Sequence, residues 1–258
     1  MGDFTNTLVG AIGNAMDLAK GAYEDWNKPE VKDLKEWIFG TDPNNLTYAY
    51  NRYSEINQQI QDKETAQKRK WERSRYLFFC DLSEMEIKDN EDPTGKVTKV
   101  TTNKLLGTTT LGNATEDCDG DMLAYTDQGP PSSIVFCPKY LDKMKSQFYP
   151  TVVGAIKQIL SVPPDLAELG FKITKTPMDY FSLLESTILH EMTHTAFGGY
   201  TRDVDGQDSY GWENVIRLAN EGWDNAESLA FFPIGVRLIR EGFGIQKDGK
   251  VTLPKPKE

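Results

Sequence analysis

The chain has 258 residues, 38% apolar and 26% charged, a composition that supports one large globular domain or two intimate subdomains and excludes a disordered chain. No stretch approaches the ~18 apolar residues needed to span a bilayer, so no membrane partner is expected. Acidic residues outnumber basic ones 39 to 29, giving a net charge of −10; a surface of that sign repels phosphate backbones and argues against nucleic acid as a partner.

Residues 1–40 alternate short apolar groups with charges. Leu8, Ile12, Met16 (or Ala15) and Ala19 fall at helical spacing, which predicts a first helix. This N-terminal helical segment, a candidate pro-segment, is set apart from a main domain over 41–258. Residues 1–20 lack the basic start and unbroken apolar run of a secretory signal, so a mature form, another export route or an internal location are the readings open. After a turn over Gly40–Asn45, the positions Leu46, Ala49, Tyr53, Ile56 and Ile60 predict an amphipathic helix running on towards Arg75.

Tyr76–Asp81 reads as a short buried strand, and the charged stretch Glu84–Gly95 as a loop. Val97–Thr110, rich in Thr and Val, suggests a hairpin, and Ile134–Cys137 another strand. Tyr140–Ile159 looks helical with an interruption near Pro150. Of three cysteines, Cys118 and Cys137 flank a Gly/Pro-rich stretch and are the preferred disulfide pair, with Cys80 left over. Such a bond implies an oxidising compartment, and a secreted, extracellular protein is the expectation.

The next helix carries the chemistry. Thr176 is placed as its N-cap, Pro177 at its first position and Asp179 as a capping-box partner. Phe181, Leu184, Ile188 and Met192 supply a buried stripe, and Gly198-Gly199 the stop. His190 and His194, the chain's only two histidines, are four residues apart, so a helix brings both imidazoles to one face within reach of one Zn²⁺. Glu191 lies beside them, next to an open coordination position. This pattern is specific for zinc-dependent hydrolases and requires a third protein ligand.

Residues Ile188-Leu189-His190-Glu191-Met192-Thr193-His194-Thr195 resemble the active-site helix of the aspzincin metallopeptidases, the deuterolysin and lysine-specific endopeptidase families. In those families an Asp in the following loop is the third ligand and a Tyr-Gly pair comes after it. Here Tyr210-Gly211 is present, but Gln207 stands three residues before the Tyr, where the families have the Asp. Asp203, nine residues past His194, ranks first as ligand, with Asp205 and then Asp208 as alternatives. Asn225-Ala226-Glu227-Ser228 is similar to the families' Asn-Ala-Asp segment, which favours Glu227 as the residue that orients a metal-bound histidine over Glu227 as a ligand from the next helix. The likeness covers residues 176–235.

The resemblance implies an α+β, zincin-like fold, mostly helical, with a small N-terminal sheet over the active-site helix and a helical C-terminal part closing the cleft. It implies an endopeptidase holding one Zn²⁺ per chain and acting on protein or peptide substrates; a monomer is the expectation for the chain. Glu191 would be the general base and Tyr210 the donor to the oxyanion. The alternative from another class is a non-catalytic zinc-binding surface or scavenging protein on the same scaffold; a toxin-like effector protease differs from the first reading only in its substrate.

Overall fold

The computed structural model describes residues 2–61, 76–91, 97–111, 113–120, 122–128, 132–147, 150–161 and 176–254. Three helices open the chain: α1 (Gly2–Asp25), α2 (Lys32–Phe39) and α3 (Pro43–Gln61). Strand β1 (Tyr76–Phe79) precedes an antiparallel meander of β2 (Met85–Glu91), β3 (Val97–Asn103) and β4 (Thr109–Leu111). Helix α4 (Ala114–Asp119) leads into β5 (Ala124–Asp127) and β6 (Ser132–Phe136). Helices α5 (Pro138–Ser146), α6 (Val152–Ser161), α7 (Leu184–His194), α8 (Trp212–Arg217) and α9 (Ala226–Arg240) follow. A short hairpin, β7 (Gly244–Ile245) and β8 (Val251–Thr252), ends the described chain. The class is α+β and mostly helical, as expected, with both three-stranded sheets drawn from residues 76–136.

Strand β6 is the middle of the sheet nearest the site. It runs parallel to β1, from Tyr76↔Ser132 to Phe79↔Val135, and antiparallel to β5, from Ala124↔Phe136 to Asp127↔Ser133. All five β6 residues are buried, whereas β1 is only half-buried. Strand β5 is the edge strand that packs on α7.

Helix α7 is buried on every side from Leu184 to Thr193, because α1, α6, α9 and β5 surround it. The first helix is therefore part of one core that runs from Leu8 to Val251. Phe232 on α9 lies within 5.1–5.6 Å of the rings of Trp26, Phe39 and Tyr53. One residue on, Pro233 lies inside α9 and cannot donate to the Leu229 carbonyl four residues back. The hydroxyl of Tyr53, fully buried on α3, donates to that carbonyl instead at 2.9 Å, so a helix defect becomes a tie between helices. Buried Glu185 does similar work: it accepts from the Val152 N–H at the start of α6 and from Asn14 on α1. Burial pushes its pKa up, and these donors work against that shift.

Several expectations need correction. Residues 85–91 of the stretch read as a loop form β2; its charges belong to a mostly exposed strand in which only Met85 and Ile87 are partly buried. The active-site helix does not begin at Thr176. Pro177–Phe181 is a 3₁₀ turn, Ser182 and Leu183 break it, and α7 starts at Leu184. Asp179 makes no capping box, because its carboxylate accepts from the Trp212 N–H and from the Thr176 hydroxyl. The helix also stops earlier, at His194, where the Thr195 N–H turns back to the Met192 carbonyl. Gly198 is required for close approach and not for termination: a Cβ there would lie 2.0 Å from the Met192 oxygen. Helix α3 reaches Gln61, and its expected continuation to Arg75 lies outside the described residues. The pair Cys118–Cys137 is disulfide-bonded as expected, and Cys80 is an exposed free thiol.

Candidate metal centre

Helix α7 delivers His190 and His194 one turn apart, their ring centroids 4.8 Å from each other. Asp203 arrives from a loop pinned to the start of α9. The Arg202 N–H donates to the Asp224 carbonyl, the Ala226 N–H donates to the Arg202 carbonyl, and the Arg202 guanidinium pairs with Asp224 at 2.6 Å. His190, His194 and Asp203 each offer a ligand atom, and these atoms lie within 4.8 Å of one another.

Hydrogen bonds fix which ring nitrogens face the centre. His194 Nδ1 lies 2.7 Å from the Thr201 carbonyl, which can only accept, so this nitrogen donates. His190 Nδ1 lies 3.2 Å from Glu227 Oε2 and likewise donates. Each neutral ring then keeps its lone pair on Nε2. The two Nε2 atoms are 3.1 Å apart, and Asp203 Oδ1 is 3.2 Å from one and 3.7 Å from the other. Asp203 Oδ1 is buried and has no hydrogen-bond donor, while Oδ2 accepts from the Tyr210 hydroxyl at 3.0 Å. Three lone pairs converging in a half-buried space repel one another unless a positive charge is shared among them.

The titration behaviour points the same way. Burial disfavours a charged His190, but the Asp203 and Glu227 carboxylates outweigh it and raise the imidazole pKa to about 10. Burial also works against an ionised Asp203, and its His190 partner overcomes this to hold the carboxyl below the ordinary range. The cluster thus demands a cation, which a proton or a divalent metal can supply. One carboxylate and two imidazoles, with a carboxylate behind one ring and a carbonyl behind the other, is a donor set that fits zinc.

Around the centre opens a cleft of about 900 Å³, walled by Glu116 and Asp117 of α4, Met122 and Leu123, and Tyr125 of β5. Glu191 lines it too and accepts from the Thr126 hydroxyl at 2.8 Å. Tyr210 stacks on His190 at 5.4 Å, and burial followed by the Asp203 charge pushes its pKa up, so its hydroxyl remains a donor at neutral pH.

The structure thus brings together His190, Glu191, His194, Asp203, Tyr210 and Glu227, and leaves two alternatives outside. Asp205 is turned to Arg217 at 2.8 Å, and Asp208 is exposed on the 3₁₀ turn Gly206–Ser209. Three contributors were not foreseen: Thr126 and Gln128 of the β5 segment, which bond to Glu191 and to the His194 carbonyl, and Thr201, whose carbonyl orients His194. The Ala124–Asp127 strand is four residues long inside a Gly/Pro-rich stretch, and its only sequence signal is the alternation of Leu123, Tyr125 and Asp127 against Ala124 and Thr126. No protein-family model and no curated protein matches this chain.

Proposed function

We propose that this protein is a zinc-dependent endopeptidase of the aspzincin kind, with a zincin-like fold, and that it acts on protein or peptide substrates outside the cell. The observation that carries this reading is the convergence of His190 Nε2, His194 Nε2 and the donorless Asp203 Oδ1 at a cleft that Glu191 also lines. The buried Cys118–Cys137 disulfide supports an oxidising, extracellular setting.

His190, His194 and Asp203 would hold one Zn²⁺, and Glu227 and the Thr201 carbonyl would fix the two rings. When bound, zinc supplies Lewis-acid polarisation and lowers the pKa of water towards neutrality. Glu191 takes the proton of the attacking water and passes it to the leaving amine. Tyr210, at rest on Asp203, donates to the oxyanion as charge develops there.

The test combines zinc analysis with a casein-cleavage assay on wild type, Asp203→Ala and Glu191→Gln. The expected result is one zinc per active wild-type chain, loss of metal in Asp203→Ala, and bound metal with at least about 10²-fold lower activity in Glu191→Gln. Zinc without cleavage would support the scavenging reading, and a wild type without zinc would sink both.

A further inference from the structure

Thr126 has a hydroxyl with one proton and two acceptors on the same residue, 2.8 Å from Glu191 Oε2 and 2.9 Å from the Glu191 carbonyl. That carbonyl belongs to the last turn of α7, where its usual donor, the Thr195 N–H, has gone to Met192. Gln128, two residues along the same face of the β5 segment, donates to the His194 carbonyl at 3.0 Å. The outer strand thus grips the end of the metal-bearing helix through alternate side chains. Only Thr126 also reaches a carboxylate that the proposed chemistry uses.

We infer that Thr126 is the positioning residue for Glu191: its hydroxyl holds the carboxylate in one orientation, with Oε2 committed and Oε1 left for the attacking water. This rests on the peptidase reading above. A Glu side chain has three rotatable bonds, and fixing them near a buried centre costs entropy that a free carboxylate would recover by turning away. The single hydroxyl proton is shared between two acceptors of the same residue, its main-chain carbonyl and its carboxylate, and this three-centre bond ties the side chain back to its own helix. Strand β5 is itself held in register by four pairings to β6, so the hydroxyl has a rigid mount. The role goes beyond capping a helix end, because a cap would need the carbonyl alone.

The experiment compares wild type, Thr126→Val and Thr126→Ser for kcat, KM and zinc content. Val keeps the shape and strand preference of Thr and removes the hydroxyl; Ser keeps the hydroxyl. The expected result for Thr126→Val is a kcat lowered about 10–100-fold, the range for losing a group that orients a site residue, with KM within about twofold and full zinc. Thr126→Ser should return kcat to within about threefold of wild type, since the donor is restored. The inference falls if wild type turns over and Thr126→Val matches it, if Ser fails to rescue, or if Thr126→Val loses its zinc, which would place the effect on the metal helix. A zinc-loaded wild type with no turnover would overturn the peptidase reading and take the inference with it.

Discussion

The two walls of the cleft are built differently. The inner wall, α7 with α9 and the Thr201–Asp203 loop, is mostly buried, with Asp203 and His194 part-exposed at the cleft, and supplies every candidate metal ligand among the described residues. The outer wall, α4 and β5, supplies no ligand among the described residues and is partly exposed; the Cys118–Cys137 disulfide, the β5–β6 pairing and the Thr126 and Gln128 bonds to α7 hold it. Electrostatics explains the division. A cluster of lone pairs tolerates little displacement, since its mutual repulsion and its attraction for a cation both vary steeply with distance.

The difference is broken most strongly from the inner side. Phe232 is fully buried among Trp26, Phe39 and Tyr53, on the helix that also carries Glu227. Phe232→Ala should cost about 3–5 kcal/mol of stability, the range for removing a large buried ring. Denaturant unfolding checks that figure. Zinc affinity should fall with it, because α9 positions both Glu227 and the anchor of the Asp203 loop.

The outer wall should respond with the opposite pattern. The Cys118–Cys137 bond closes a separation of 19 residues, and its loss in the Cys118→Ser/Cys137→Ser double variant should cost about 3 kcal/mol. Helix α4, which carries Glu116 and Asp117 on the cleft, would lose its tie to the end of β6. KM should rise several-fold while zinc content remains that of wild type. Loss of metal in this variant would show that the two walls are not independent.

Legibility in the sequence follows the same line. His190, Glu191 and His194 could be read because a helix converts a four-residue spacing into a shared face, a purely local relation. The Cys118–Cys137 pair was also within reach, since both cysteines border one short segment. Local signals failed where neighbours from afar decide. Asp179 has the spacing of a capping partner, yet the Trp212 N–H, 33 residues away, takes it. Thr126 has no pattern of its own, and its role exists only because a parallel β1–β6 pair and an antiparallel β5 bring it to α7. The helix stripe was legible but incomplete, since α7 is enclosed on all sides and its Glu185 and Thr193 are as buried as its leucines.

The finest test separates two carboxylates only two residues apart. Asp203 faces the imidazoles, whereas Asp205 pairs with Arg217 at 2.8 Å with both side chains nearly half exposed. An exposed pair of this kind is worth about 0–1 kcal/mol, because water already solvates both charges. Asp205→Ala should therefore leave zinc content and cleavage at wild-type values and shift stability by no more than about 1 kcal/mol. It shares the charge and the loop of Asp203, so the comparison holds both constant and varies only the direction the carboxylate faces. If Asp205→Ala lost zinc as Asp203→Ala is expected to, the loop's total charge, and not the Asp203 geometry, would be what attracts the metal.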